Sequence, residues 1–323
     1  MSRSAYLSPY VYNYMSSARG KRVVTTDHYE SSQRLARRVA GIATALRASP
    51  LVMVDPCAGH GSIYEHLPAP KRAYDLHPQF EGCVRQDFLT SKRPTEDPMM
   101  LVLNPPFSLG RQRNGVVGFL NHAAGFLRAG EVAVCVAPQS MRRWINIRHV
   151  DRRLHLVEEH VCAAPCSFRR ADGRTARVRI VVQVWRLADV PRVDPEYPKA
   201  HADIRVGMAL EPERPVFFVK NWGSTRRIGA VCGVEDLDAS GDRCAVGTLR
   251  STKGTAYCVY GDASARARFQ ELFDSGDWAR YCRFTSAGID NPNVNVREIY
   301  GVFERGVAFY AKQRWGVRVV HTS

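Results

Sequence analysis

Residues 99–107 read Met-Met-Leu-Val-Leu-Asn-Pro-Pro-Phe. Five apolar residues in an unbroken run suit a strand buried on both faces, as at the centre of a parallel sheet. The two prolines after Asn104 can neither donate to a ladder nor sit inside a helix, so the strand must stop in a rigid turn. Pro105 also restricts Asn104 to an extended conformation. The stretch therefore predicts one fixed side-chain amide and one fixed main-chain carbonyl at the carboxyl end of a sheet. That edge is where open α/β sheets take their ligands.

Working outward, Leu-Val-Met-Val-Asp (51–55) runs into Pro56-Cys57-Ala58-Gly59-His60-Gly61, where the glycines permit a tight turn and close approach of a ligand to the backbone. Further short strands at 72–75, 83–87 and 131–138 are separated by connections long enough for helices, the pattern of a parallel α/β sheet. Asp75 closes the second strand, 20 residues after Asp55, where a carboxylate can hold ribose hydroxyls. Asp87 closes the third beside Phe88, a polar and an apolar group that could grip a nucleobase. Taken singly, a glycine pair is commonly only a turn and a strand-end acid only a cap. The four features in this order are far more specific.

Helical periodicity places helices at 29–48, with Leu35, Val39, Ile42, Ala43 and Leu46 on one face, and at 116–127. Segments 155–161 and 177–187 read as an antiparallel hairpin closing the sheet, with Ser167–Ala176 as its loop. A stretch rich in proline and charge follows. The expected layout is an N-terminal arm (1–25), an α/β domain (26–190), a linker (191–203) and a smaller α+β domain (204–323).

Charge indicates the partner. The 323 residues carry 46 Lys+Arg against 31 Asp+Glu, a net +15. Residues 111–186 alone hold 14 Arg and 5 acids, so the positive field gathers just after the Asn-Pro-Pro turn. Nucleic acid is the first candidate for such a chain. Arg142, Arg143 and Trp144 could line a backbone groove, and Arg169, Arg170 and Arg174 could meet phosphates from the hairpin loop, although a solvated face would look the same. No apolar run is long enough to span a membrane. The N-terminus lacks an apolar leader, and nine unpaired-looking cysteines suit an intracellular, cytoplasmic or nuclear, setting. Cys162 and Cys166 have no companion pair or His cluster, so they are read as packing residues and no metal site is expected.

The constellation resembles the class I S-adenosylmethionine-dependent amino-methyltransferases, in particular the N6-adenine enzymes in their gamma arrangement. Their glycine turn is often D-P-x-x-G-x-G, here Asp55–Gly61, and their catalytic tetrapeptide is (N/D/S)-P-P-(Y/F/W), here Asn104-Pro105-Pro106-Phe107. The likeness covers about residues 25–187, and it implies a Rossmann-like sheet closed by an antiparallel hairpin and S-adenosylmethionine as cofactor. It implies catalysis by the tetrapeptide and cofactor contacts from Asp55, Ala58, Gly59, Gly61, Asp75, Asp87 and Phe88. Tyr29 would join them from a covering segment in which the family's Thr-Pro is replaced by Ser31-Ser32 or Thr25-Thr26.

The implied reaction is methyl transfer to the N6 amine of adenine in nucleic acid, with DNA ahead of RNA. The alternatives are an RNA adenine methyltransferase, a protein glutamine methyltransferase, or an inactive nucleic-acid-binding subunit. A nicotinamide dehydrogenase is disfavoured, because its fingerprint needs a glycine where Tyr64 stands.

Overall fold

The most apolar runs become the middle of the sheet. The computed structural model describes residues 13–14, 23–24, 29–47, 51–107, 114–162, 164–170, 175–194, 197–207, 217–220, 231–233, 256–275, 296–312 and 317–322. In chain order its elements are β1 (Asn13–Tyr14), β2 (Val23–Val24), β3 (Tyr29–Ser31), α1 (Gln33–Ala45), β4 (Val52–Asp55), β5 (Lys71–Asp75), β6 (Cys83–Arg85), β7 (Met99–Leu103), α2 (Gly115–Ala124), β8 (Val132–Pro138) and α3 (Trp144–Ile147). There follow β9 (Leu154–Cys162), β10 (Cys166–Arg170), β11 (Thr175–Val178), β12 (Ile180–Leu187), β13 (Ile204–Gly207), β14 (Phe217–Lys220), β15 (Val231–Gly233), β16 (Ala256–Gly261), α4 (Ala263–Asp274), α5 (Val296–Lys312) and β17 (Arg318–Thr322).

The chain forms two units, residues 1–193 with 317–323, and residues 194–316. The first carries an eight-stranded sheet of order β17-β9-β12-β8-β7-β4-β5-β6. β8, β7, β4, β5 and β6 run parallel, and β12 lies antiparallel between β8 and β9. This is the Rossmann-like sheet closed by an antiparallel pair that the sequence predicts. Every residue of β4 and β7 is buried, as central parallel strands require. On one face Leu35, Ala36, Val39, Ala40 and Ala43 of α1 pack with Met53, Met100, Val102, Val134 and Val182. On α2, Val116, Phe119, Leu120 and Ala123 are buried as well.

Three elements differ from the sequence reading. The helix expected from residue 29 starts at Gln33, because Ser32 caps it by accepting a hydrogen bond from Leu35 N at 3.4 Å, and Tyr29–Ser31 is strand β3. The expected loop Ser167–Ala176 is mostly strand. β10 and β11 pair antiparallel, and β3 adds to β10, making a separate sheet of order β11-β10-β3. The pattern follows from a period of two, since Phe168 is buried while Ser167, Arg169, Thr175 and Arg177 are exposed. Lastly, the C-terminus returns to the first unit, where β17 joins the edge parallel to β9.

In the second unit β13-β16-β14-β15 form an antiparallel sheet. Its core holds Val259, Tyr260, Phe269 and Phe303, the last two rings stacked at 5.1 Å. Gly306, at φ 75°, breaks α5 in two.

Candidate functional site

Sheet order changes direction between β4 and β7. From β4 the chain moves to β5 and β6 on one side, then crosses to β7 on the other. Ligands of such sheets bind at this switch, outside the carboxyl ends of the strands. β4 and β7 are hydrogen-bonded neighbours, with Val54 opposite Leu101, so Asp55 and Asn104 end adjacent strands. The two turns singled out by the sequence meet there.

The first turn is held by carboxylates and main chain. Asp55 is buried and its Oδ1 accepts from Cys57 N at 3.2 Å. Ala58 N donates to Tyr74 O at 3.0 Å, and Gly61 N to Ala58 O at 2.7 Å. Asp75 receives Gly59 N on one oxygen and His77 N on the other, each at 2.8 Å. Gly59 and Gly61 take φ values of 52° and 85°, where a side chain is strained. A Cβ at Gly61 would also stand 3.0 Å from the Phe80 ring. Burial is the main reason the Asp55 carboxyl is pushed up to about 7; the nearby Asp75 adds to the rise, and the Cys57 N–H opposes it.

The two turns meet at Cys57, where the Asn104 main-chain N–H works against a rise of the thiol. That thiol lies well above its ordinary range, through burial first and then the charges of Asp55 and Asp75.

The second turn is held from far away in the chain. Asn104 Nδ2 donates to Ser31 Oγ at 3.0 Å, and Ser31 is buried on β3. With the donor end of the amide directed at Ser31, its oxygen takes the opposite corner. Phe107 meets Phe168 of β10 edge to face, centroids 6.0 Å apart at 80°. Its carbonyl accepts from Gly115 N at 3.1 Å, at the start of α2. Ser31 and Phe168 are directly opposed partners of the β3–β10 ladder. One rung of a small sheet thus holds both ends of the Asn104–Phe107 tetrapeptide. Pro105 is buried and Pro106 half-buried between them.

The remaining expected site residues divide. Asp87 ends up near the carboxyl edge, where its Oδ1 accepts from Leu89 N at 3.0 Å and caps a short turn. Phe88, next in the chain, turns its ring into the core. It is buried, stacked on Phe119 at 5.2 Å and met edge-on by His122 and Phe126, so its ring is spent on packing. Arg142 and Arg143 are buried too, a correction to the expected groove. Arg142 Nε donates to Glu159 Oε2 at 3.1 Å, and Gln183 Nε2 donates to Glu159 Oε1 at 2.8 Å. Burial lowers the Arg142 guanidinium while Glu159 partly restores it.

Arg169 is exposed on the outer face of β10, and Arg177 shares that face from β11. Tyr29 stands opposite Arg170 in the β3–β10 ladder. The side chains of Tyr29, Trp144 and Arg170, and Arg174 as a whole, lie outside the described residues.

Ser31, Phe168 and Phe80 were missed as site residues. The Ser31-Ser32 pair stood out in sequence only as the place of a missing Thr-Pro, and nothing local distinguished the two phenylalanines.

No known family profile matches the chain, and no curated protein matches it in sequence. Among solved structures it is similar to a protein of Listeria monocytogenes described as a class I S-adenosylmethionine-dependent methyltransferase, with 14% identity, a TM-score of 0.40, and coverage of 56% of this chain and 66% of that one. It is also similar to TrmN of Thermus thermophilus, with 18% identity, a TM-score of 0.33, and coverage of 48% of both chains. A third is described as an RNA methyltransferase of Pyrococcus horikoshii, with 14% identity, a TM-score of 0.39, and coverage of 51% of this chain and 87% of that one. The chain spans less than two thirds of the length of the first two, at 66% and 48%.

Proposed function

We propose that the chain is an S-adenosylmethionine-dependent methyltransferase acting on the N6 amine of adenine in nucleic acid, with DNA ahead of RNA. The observation that carries this reading is the Asn104 amide, fixed through Ser31 Oγ at 3.0 Å beside a glycine turn at the sheet's switch point.

The residues present suit the cofactor. An ionised carboxylate has about four acceptor positions, so Asp75 can hold Gly59 N and His77 N and still accept from ribose hydroxyls. Gly59 and Gly61 have no side chain to keep the methionine portion from the turn, Ala58 adds only a methyl group, and Asp55 and Asp87 would serve the turn and the adenine end. When bound, S-adenosylmethionine supplies an electrophilic methyl group.

The adenine amine is a poor nucleophile because its lone pair is delocalised into the ring. Hydrogen bonds from that NH2 to Asn104 Oδ1 and the Pro105 carbonyl favour a pyramidal nitrogen and stabilise the positive charge that develops on it. Both acceptors are positioned in advance, which removes an orientational cost from the reaction. No strong base is needed, because the proton leaves from an already cationic nitrogen. Phe107, backed by Phe168, offers a ring against which a flipped or splayed base can stack.

The exposed Arg169 and Arg177 stand on the hairpin whose inner residue Phe168 supports Phe107. Phosphate contacts there favour nucleic acid over a protein side chain, though such contacts carry no base information. The test is nucleoside mass spectrometry after incubation with deuterated-methyl S-adenosylmethionine and a panel of duplex DNA, single-stranded DNA and structured RNA. Labelled N6-methyladenine in DNA is expected. Label only in RNA moves the reading to its alternative, and no label in any member of the panel overturns it.

A further inference from the structure

Away from the switch point, two cysteines stand where β9 ends and β10 begins, Cys162 and Cys166. Both are half-buried. Val161 stands opposite Val181 of β12 and Cys166 opposite Val178 of β11, so the two cysteines lie against successive strands of one run, and both pack on the same core cluster. Arg38 of α1 donates to Cys162, Nη1 to Sγ at 3.0 Å. Arg34, one helical turn earlier, adds a second positive charge from the same helix. Along β9 the neighbouring ionisable groups are His160 and Glu158, paired at 2.8 Å, and β17 brings Arg318 towards His160.

This is an asymmetric pair. Cys162 has Cys166 beside it and accepts from the Arg38 guanidinium, which favour its thiolate, so its proton is held less tightly than usual. Its neighbour Cys162 and burial push the Cys166 thiol the other way, so it keeps its proton. Four residues separate the two along the chain, so a bond between them closes only a short loop.

We propose that Cys162 and Cys166 form a reversible thiol–disulfide site, in which Cys162 reacts first and Cys166 resolves. With a low-molecular-weight disulfide as oxidant, the Cys162 thiolate attacks one sulfur. The oxidant's S–S bond breaks, and one thiolate leaves and takes a proton from water. Cys166 then loses its proton to solvent and attacks Cys162 Sγ, displacing the second thiolate. Two protein thiols are oxidised to one disulfide, and the oxidant is reduced to two thiols. The new bond lies two residues before Phe168, at the root of the strand that supports Phe107.

The test needs no methyl-transfer assay, so its outcome is independent of the proposed function. The full chain is incubated with oxidised glutathione and mapped by peptide mass spectrometry. The expected product joins Cys162 to Cys166 with the loss of two hydrogens, and dithiothreitol reverses it. Cys166→Ser should trap glutathione on Cys162, whereas Cys162→Ser should leave Cys166 unmodified. Arg38→Leu should slow alkylation of Cys162 by iodoacetamide about tenfold at neutral pH, as expected for a thiol whose thiolate loses its cation. A map without the Cys162–Cys166 bond in the unsubstituted chain overturns the proposal. So does glutathione found on Cys166 in Cys162→Ser as fast as on Cys162 in the other variant.

Discussion

The two turns at the switch point are built differently. Asp55–Gly61 is closed by its own main chain and by Asp75, from the next strand of the same sheet. Asn104–Phe107 is oriented by Ser31 and Phe168, which belong to another sheet and lie more than sixty residues away in the chain. The first is a rigid loop of local design, and the second is adjusted from outside. On the proposed function the first turn holds the cofactor and the second acts on the substrate. Variants should therefore separate binding from turnover.

The largest effect should come from Asn104→Ala. Removing a preorganised acceptor of transition-state charge costs about 100- to 1000-fold in kcat. Cofactor affinity by calorimetry should barely change, since the Asp55–Gly61 turn is untouched. A comparable loss of cofactor binding would break the division between the turns, and near-normal turnover would remove Asn104 from the chemistry.

The second effect is a pH dependence of stability. Asp55 is held near 7 in the folded chain against about 4 when unfolded. The folded state prefers its protonated form, so the contribution is favourable below about pH 4 and is lost as pH rises through 7. Between pH 5 and 8 the loss should be up to about 2–3 kcal/mol. Asp55→Asn keeps an acceptor for Cys57 N and cannot ionise. Thermal unfolding should show the variant gaining on the unsubstituted chain as pH rises over this window. A gap that stays constant with pH would mean that Asp55 is ionised throughout.

Asp75→Asn should come next. A carboxylate that accepts two main-chain N–H groups becomes an amide that accepts with one oxygen, and charge-assisted hydrogen bonds become neutral ones. The loss is about 1.5–3 kcal/mol, seen as cofactor affinity weakened about tenfold to a hundredfold. Turnover at saturating cofactor should change far less. A fall in kcat with unchanged affinity would reverse the roles given to the two turns.

The same contrast explains what the sequence made legible. The strands, the closing antiparallel pair and the positions of Asp55, Gly59, Gly61, Asp75 and Asn104 follow from apolar runs and turn residues, which are local signals. Phe88 looked like a site residue because it follows a strand-end acid, but only tertiary packing shows its ring spent on Phe119 and Phe126. Arg142 and Arg169 are alike as letters in a basic stretch. One finds Glu159 in the interior and the other faces outward from a hairpin. A charge count carries no strand phase, and Ser167–Ala176 read as loop has no phase to give. β17 was hidden for a similar reason, since a five-residue edge strand after a long helix carries no signal of which sheet it joins.

The smallest and most telling prediction concerns Ser31. Its hydroxyl touches no reacting atom in the proposed mechanism and acts only by orienting the Asn104 amide. Ser31→Ala removes one ordinary hydrogen bond, about 1 kcal/mol, and leaves the amide free to rotate by half a turn. Rotation would present NH2 to the substrate amine where an acceptor is needed, so kcat should fall about tenfold with KM and cofactor affinity nearly unchanged. Ser31→Thr retains the hydroxyl and should recover most of the rate, because a β-branched residue suits strand β3. If alanine and threonine lower kcat equally, packing at the Ser31–Phe168 rung is what counts and the hydroxyl is incidental. If neither does, the Asn104 turn is fixed by its prolines alone, and the second turn is as locally built as the first.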